Sequence, residues 1–410
     1  MTKAVRSIVE INFGTKTGGK GTLYSPFEKI KYSAGRDIVK NFNMKEYITE
    51  LEKIVNMESD SKNIDGVAEI ADYFYDKYKK LFLNVEKIQN YSEVGPCLKV
   101  TNTNEENYDV LFLGHMDTVF PKGTIEERPF KKEGNKVFGP GVIDMKGPLL
   151  SLYYAVKELV DKENLKKFCI LLNSEEEIGS KHYGELIERT AEKSRYTLVI
   201  EHARPDGALV IERKGSGGYD IEFTGRAFHA GSAPEKGRNA ISEMAYWINK
   251  LNEVTDFEKG TTINCGIANG GTAKNVVAEK AYLGMEFRVK KVEAVEEIIK
   301  KIEDLKKHAE EKEIKLKITG GLNRGPMVFN EKSKKLFEII KEAGEELEIG
   351  IKGVSSGGGS DGNITSSVGS PTIDGLGPVG GGQHSVDEYL ELDSVEERIE
   401  LIVKIMEKLN

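Results

Sequence analysis

Apolar residues recur along this chain with two periods. After Asn43, a residue type that caps helix N-termini, the stretch MKEYITELEKIV places Tyr47, Leu51, Ile54 and Val55 on one face of a 3.6-residue period. A second helix is expected over about 65–81, where Val67, Ile70, Ala71, Phe74, Tyr75 and Tyr78 fall at helical spacing. Short unbroken apolar runs then take over, at Val110–Leu113, Gly141–Ile143, Cys169–Leu172 and Thr197–Ile200. Helical segments near 147–161 and 180–194 lie among them. Continuous apolar strands between helices predict an α/β catalytic layer, with a mixed, mostly parallel sheet covered on both faces.

Residues 215–325 change the pattern. GYDIEFTG reads as a strand, RNAISEMAYWINKL as a helix, and TTINCGIANG and KAYLGMEFRV as strands. VEAVEEIIKKIEDLKKHA is an amphipathic helix, with Val292, Val295, Ile298, Ile299, Ile302 and Leu305 on one stripe, and EIKLKITGG closes as a strand. The order β-α-β-β-α-β is that of a ferredoxin-like sandwich. The expected organisation is therefore an extension over 1–42, a main domain over 43–214 and 326–410, and an inserted domain over 215–325. The main domain resumes with a helix at 330–344, a glycine-rich loop at 353–363 and a final helix at 393–408.

Composition narrows the function class. A net charge of −8 argues against a nucleic-acid partner. No apolar run approaches the roughly 18 residues of a membrane span, and MTKAVRSIVEINFG lacks the apolar core of a signal peptide. Cys97, Cys169 and Cys265 are far apart and form no CxxC, which fits a reduced, cytoplasmic protein without a thiolate zinc site. Gly14–Thr22, GTKTGGKGT, matches most of a phosphate-binding loop. The residue after Lys20 is Gly21 rather than Ser or Thr, and Pro26 comes too early for the helix such a loop opens. A nucleotide-hydrolysing site there is disfavoured.

The ends of the apolar runs carry the chemistry. Val110–Leu113 leads to His115 and Asp117, Gly141–Ile143 to Asp144, Cys169–Leu172 to Glu175, Glu176 and Glu177, and Thr197–Ile200 to Glu201 and His202. A single histidine or glutamate at a strand end is more often a cap or a solvated group. Parallel strands, however, bring their C-terminal ends to one edge. Carboxylates gathered there need a compensating cation. Mixed carboxylate and imidazole donors suit zinc, with cobalt or manganese as alternatives, and this many donors would serve two ions sharing a carboxylate.

The motifs GHMDTV, GPGVIDMKGP, NSEEEIGS, VIEHARPDGALVIERKG, FHAGSAPEKGRNAI, GGTAKNVV and GGGSDGN with GGGQHSVDEY occur in this order. The set resembles the dinuclear-zinc family of carboxypeptidase G, aminoacylase and the acetylornithine and succinyl-diaminopimelate deacylases, over roughly residues 45–410. It is most similar to the glutamate carboxypeptidase branch. The resemblance implies two Zn2+ per subunit. His115, Asp144 and Glu201 would hold one ion, and Asp144, Glu177 and His384 the other. Asp117 would orient His115, Glu176 would be the general base for the attacking water, and Glu175 would be solvent-side or structural. His202 stands where this branch often has proline and is read as supporting or incidental. In the inserted, lid and dimerisation domain, the resemblance makes His229 an oxyanion stabiliser that reaches the partner subunit of a homodimer. Asn275, Arg288 and Arg324 resemble residues that hold a substrate carboxylate, and the amides around Gly358 and Gly359 would line the pocket. His182 and His308, in charged helical stretches, read as surface residues. The implied substrate is a peptide or an N-acyl amino acid, cleaved either as a carboxypeptidase or as a deacylase. A non-catalytic binding protein on the same scaffold is the remaining alternative.

Overall fold

The computed structural model describes residues 39–409. The phosphate-loop-like segment and most of the expected extension fall outside that range.

The main sheet has six strands, in the order Asn84–Ile88, Cys97–Thr101, Phe168–Asn173, Tyr108–His115, Ser194–Val199 and Thr372–Ile373. The first two pairings in that order are antiparallel and the other three parallel, so the sheet is mixed and mostly parallel. Alternation along each strand sends successive side chains to opposite faces. Val110, Phe112, Phe168, Ile170, Leu172 and Leu198 enter one core. Leu111, Leu113, Cys169, Leu171 and Val199 enter another, on the far face. The first core packs against helices Met44–Val55, Ile64–Lys79, Gly147–Leu159, Glu331–Glu346 and Asp393–Lys408, and the second against Gly184–Glu192. Both faces are thus covered, which is why the strands are apolar throughout. Asn43 caps the first helix as its type predicts, its side chain accepting from the amides of Lys45 and Glu46 at 3.0 and 3.1 Å.

One expected run folds differently. Gly141–Ile143 is not a strand: the backbone turns at Gly141, with φ +70°, into a kinked turn over Val142–Lys146 whose backbone is non-helical at Asp144 and Met145. A side chain at Gly141 would also meet the Thr118 methyl at 2.6 Å. Asp144 therefore enters the sheet's C-terminal edge from a turn.

The inserted segment forms a four-stranded antiparallel sheet, ordered Thr262–Gly270, Lys280–Val289, Gly215–Thr224, Lys315–Arg324. Helices Ala240–Asn252 and Val292–Glu311 pack against it around a separate core that includes Phe223, Trp247, Leu283, Phe287, Ile298 and Ile302. The strand Thr262–Gly270 lies at the edge of this sheet. Among the described residues, no helix is long and apolar enough to cross a membrane.

Candidate metal centre

Parallel pairing puts His115, the last residue of its strand, beside Asn173 at the end of the neighbouring one. The glutamate run begins two residues after Asn173, and Glu201 lies two residues after the end of Ser194–Val199. His384 arrives on the loop after Gly377–Gly381, in a left-handed conformation with φ +61°. Such a backbone on a non-glycine residue is costly and is found disproportionately at functional sites.

Asp144 is central to the cluster. Its Oδ1 lies 3.1 Å from His115 Nε2, and its Oδ2 lies 3.2 Å from His384 Nε2. Glu201 Oε1 is 3.6 Å from His115 Nε2, and Glu177 Oε2 is 3.2 Å from His384 Nε2. The donors thus fall into two groups that share Asp144, one with His115 and Glu201 and one with His384 and Glu177. Asp117 supports both. His115 Nδ1 faces its backbone carbonyl at 2.9 Å and its carboxylate at 3.3 Å. That arrangement keeps the Nδ1 proton on the Asp117 side and turns the Nε2 lone pair toward the cluster. The same carboxylate accepts from the amides of Glu176 and Glu177, at 3.1 and 3.2 Å, and from Ser61 Oγ at 2.6 Å.

The three glutamates of the run are not equivalent. Glu175 is fully buried and structural, not solvent-side. It accepts from the amides of His182 and Tyr183 at 2.5 and 2.8 Å and faces His182 Nδ1 at 2.8 Å. Glu176 is held by Arg324, whose Nη1 donates to Oε1 at 2.5 Å and whose Nη2 donates to the backbone carbonyl at 2.9 Å. Glu177 points to His384. His182 thus partners a buried acid, and so does His308, whose Nδ1 lies 2.9 Å from buried Glu243 in the inserted segment. Neither is a bare surface residue.

The electrostatics of the cluster are those of a site short of positive charge. Burial, reinforced by Asp144, pushes the Glu201 carboxyl well above its usual range. Burial likewise lifts Glu177 to about 7, against a hydrogen bond from His384. Hydrogen bonds to Asp144 and Glu177 raise His384 to about 10. Burial opposes charge on His115, but Asp117 and Asp144 outweigh it and raise that ring as well. Asp144 is buried too, yet its two imidazole partners hold it below the ordinary carboxylate range. Glu177 Oε1 is buried with no hydrogen-bond partner among the described residues. Donor atoms of His115, Asp144 and Glu177 lie within 4.8 Å of one another. An orphaned acceptor and repelling acids that now depend on shared protons are what divalent cations would relieve, so the residues fit a metal. His202 is buried beside Glu201, its Nδ1 4.0 Å from that carboxylate; desolvation lowers it to about 4, so its ring is neutral at physiological pH.

The other expected residues are placed as follows. Gly358 and Gly359 turn their carbonyls to Arg213 Nη1 at 3.2 and 3.4 Å, and Gly359 lies beside Arg324. Arg213 itself is buried and paired with Asp374 at 2.6 Å. Arg324 also donates to Ser180 Oγ and Asp361 Oδ1, at 3.2 and 3.1 Å. His229 and Asn275 sit together in the inserted segment, joined by a backbone bond from Ala230 to Asn275 at 2.9 Å, and both are exposed. Arg288 pairs with Glu286 on its own strand. Among the described residues, no hydrogen bond or ion pair links His229, Asn275 or Arg288 to the cluster. A cavity of about 470 Å³ opens at the opposite, N-terminal edge of the sheet, lined by Arg195, Tyr196, Lys332 and Ser370 among others, and shares no residue with the cluster.

Asp361, Arg213 and Glu388 lie inside the quoted motifs, but nothing in their residue type there marks the contacts they make. Glu388 is 1% exposed and accepts from three backbone amides, of Gly141, Ile143 and Asp144, at 3.0, 2.9 and 3.0 Å.

A mostly parallel sheet with a histidine and carboxylate cluster at its C-terminal edge, plus a separate inserted sandwich, defines a metal-site hydrolase architecture. The chain belongs to peptidase family M20/M25/M40, whose model matches residues 111–408. It is thus a hydrolase of a metal-dependent family. It is 29% identical over 372 residues to carboxypeptidase G2 of Pseudomonas sp. (strain RS-16), covering 88% of each chain. It is 27% identical to succinyl-diaminopimelate desuccinylase of Methylococcus capsulatus, over 70% of this chain and 79% of that protein. The fold is shared with aminopeptidase PepT from Bacillus cereus, at a TM-score of 0.77 and 24% identity, covering 90% of this chain and 99% of that one. It is also shared with the M20 family metallo-carboxypeptidase Sso-CP2 from Sulfolobus solfataricus, at a TM-score of 0.69 and 19% identity, covering 89% and 99%.

Proposed function

We propose that the protein is a zinc-dependent carboxypeptidase that hydrolyses the amide before a C-terminal amino acid, glutamate among the candidates. The observation that carries this reading is the two donor groups meeting at Asp144, with Glu176 next to one of them in sequence. His115, Asp144 and Glu201 would hold one ion, and Asp144, Glu177 and His384 the other. When bound, the pair would supply an acidified water and polarise the scissile carbonyl. Glu176 acts as general base through Oε2, the oxygen Arg324 does not hold, taking a proton from the attacking water and passing it to the leaving amine. Arg324 already donates to Glu176, Ser180 and Asp361, so in our reading it fixes the base. Grip on the substrate carboxylate then falls to Asn275 and Arg288, the latter with the forked donors that suit a carboxylate.

Residues 215–325 serve as lid and dimerisation domain, and His229 stabilises the oxyanion across a homodimer. Supporting this, the edge strand Thr262–Gly270 exposes Ile267, and the adjoining helix exposes Ile241 and Tyr246. Cys97, Cys169 and Cys265 are free thiols, in keeping with a reducing, cytoplasmic setting. N-acyl amino acid deacylation is the second reading, favoured by the likeness to a desuccinylase.

The test is a hydrolysis screen over dipeptides, N-aroyl glutamates and N-acyl amino acids with added zinc. Turnover of substrates with a free C-terminal carboxylate is expected, falling about 10²–10⁴-fold in Glu176→Ala. Full activity in that variant, or no hydrolysis of any substrate by the zinc-loaded protein, would overturn the reading.

A further inference from the structure

We infer that Glu388 is a positioning residue for Asp144: a buried carboxyl that fastens the turn carrying the shared carboxylate to the loop carrying His384. The inference rests on the metal reading above and concerns how this chain holds its own ligands in place.

The geometry is specific. Glu388 Oε2 accepts from the Gly141 amide, and Oε1 accepts from the amides of both Ile143 and Asp144. These donors converge because the chain reverses at Gly141 and coils through Val142–Lys146, a concave nest of amides that suits an anion. Lys146, in the same turn, does not neutralise Glu388 directly. Its Nζ donates to the carbonyls of Val55 and Met57, at 3.4 and 2.6 Å. The Glu388 carboxyl oxygens are therefore met by backbone amides, in a region already crowded with carboxylates.

A turn that only needed its amides satisfied could use water or a neutral side chain. Placing one more buried acid against Asp144 is unfavourable unless the position it fixes matters. What it fixes follows from the chain path. Glu388 lies four residues after His384, so one loop grips Asp144 twice: Glu388 holds its backbone amide, and His384 faces its Oδ2 at 3.2 Å. With the amide pinned, the carboxylate keeps Oδ1 toward His115 and Oδ2 toward His384. Ligand positions matter to a few tenths of an ångström. Gln at 388 would retain the size of the side chain but offer one acceptor oxygen and turn an NH2 group toward amide donors.

The experiment measures zinc affinity of the full-length protein by competition with a chromogenic chelator. The visible spectrum of the cobalt-loaded form, and the melting temperature of the metal-free form, are recorded beside it. Wild type, Glu388→Gln, Glu388→Asp and Ser394→Ala are compared. Ser394 Oγ accepts a hydrogen bond from the Val379 amide at 2.8 Å and makes no hydrogen bond to Asp144, so it reports a purely structural loss nearby. Glu388→Gln is expected to weaken zinc binding about 10–100-fold and to alter the cobalt spectrum, while Ser394→Ala leaves both as in wild type. Glu388→Asp keeps the carboxyl but shortens the reach, and should also lose affinity; it provides the same reading if the Gln protein does not fold. Wild-type zinc affinity and cobalt spectrum in the folded Glu388 variants, with only the metal-free melting temperature lowered, would overturn the inference and leave the functional reading intact. A wild-type protein that binds no zinc would overturn the functional reading, and this inference with it.

Discussion

The cluster at the sheet edge and the tip of the inserted segment both hold residues expected to act in catalysis, and the chain treats them in opposite ways. At the edge, His115, Asp117 and Asp144 are buried, and each has partners from other elements. At the tip, His229 and Asn275 are exposed and bond only to their own neighbourhood. Strand ends can fix ligands because parallel pairing sets their spacing within one chain. His229 and Asn275 have no such frame: among the described residues, no hydrogen bond or ion pair ties either to the cluster. On the reading proposed above, one chain would suffice for metal binding, whereas turnover would draw on a second copy.

The largest expected effect tests the first half of that contrast. Asp144→Asn removes the carboxylate shared by both donor groups. Metal chemistry supplies several kcal/mol of transition-state stabilisation, and each 1.36 kcal/mol is tenfold in rate. Activity should therefore fall on the order of 10³-fold or more, with zinc content by elemental analysis falling in parallel. Treating the wild type with a chelator should reproduce the loss, and zinc should reverse it. An Asp144→Asn protein with its full zinc content would break the proposed site.

Much of this site is legible in the sequence, for reasons that differ by residue. His115 and Glu201 follow four-residue apolar runs that, set between helices, suit strands of a buried parallel sheet, so their convergence follows from the pattern. The β-α-β-β-α-β order is equally plain, because its helices show a clean stripe and its strands alternate. Asp144 is reached for a partly wrong reason: a three-residue apolar run has no period that separates a strand from a turn. In NSEEEIGS the three glutamates look alike by residue type; the resemblance separates Glu176 and Glu177, and the fold alone assigns Glu175 to the amides of His182 and Tyr183 and Glu176 to Arg324. Glu388 works through backbone amides some 244 positions away, and side-chain chemistry in sequence carries no mark of such a contact.

The second half of the contrast predicts a smaller loss of a different kind. His229→Ala should leave the melting temperature and zinc content unchanged, since the residue is exposed and touches no ligand among the described residues. Removing an oxyanion donor should still lower kcat by about 10²–10³-fold. If His229 serves the neighbouring subunit, mixing this variant with Glu176→Ala should restore part of the activity, because a heterodimer contains one complete site. Absence of recovery, despite subunit exchange shown with differently tagged chains, would confine His229 to its own chain or remove it from catalysis.

The smallest expected effect sharpens the electrostatic side of the comparison. The metal-free cluster holds protons that a cation must displace: His384 titrates near 10 and Glu177 near 7. Both values lie above the ordinary range, so the protonated, non-binding form persists to higher pH than in a free side chain. Zinc affinity should therefore rise with pH, by about tenfold per unit for each proton displaced. Between pH 7 and 10 the His384 proton contributes about one to the slope, below about 7 the Glu177 proton adds to it, and the raised His115 and Glu201 steepen it further. Glu177→Gln should bind zinc more weakly at every pH, and its slope below 7 should lose the added part. Affinities measured from pH 5.5 to 9 against a chelator of known protonation behaviour would show this. A profile flat across that range would mean that the acids and imidazoles at the sheet edge do not share protons in the free protein, and the charge deficit inferred for the cluster would then be wrong.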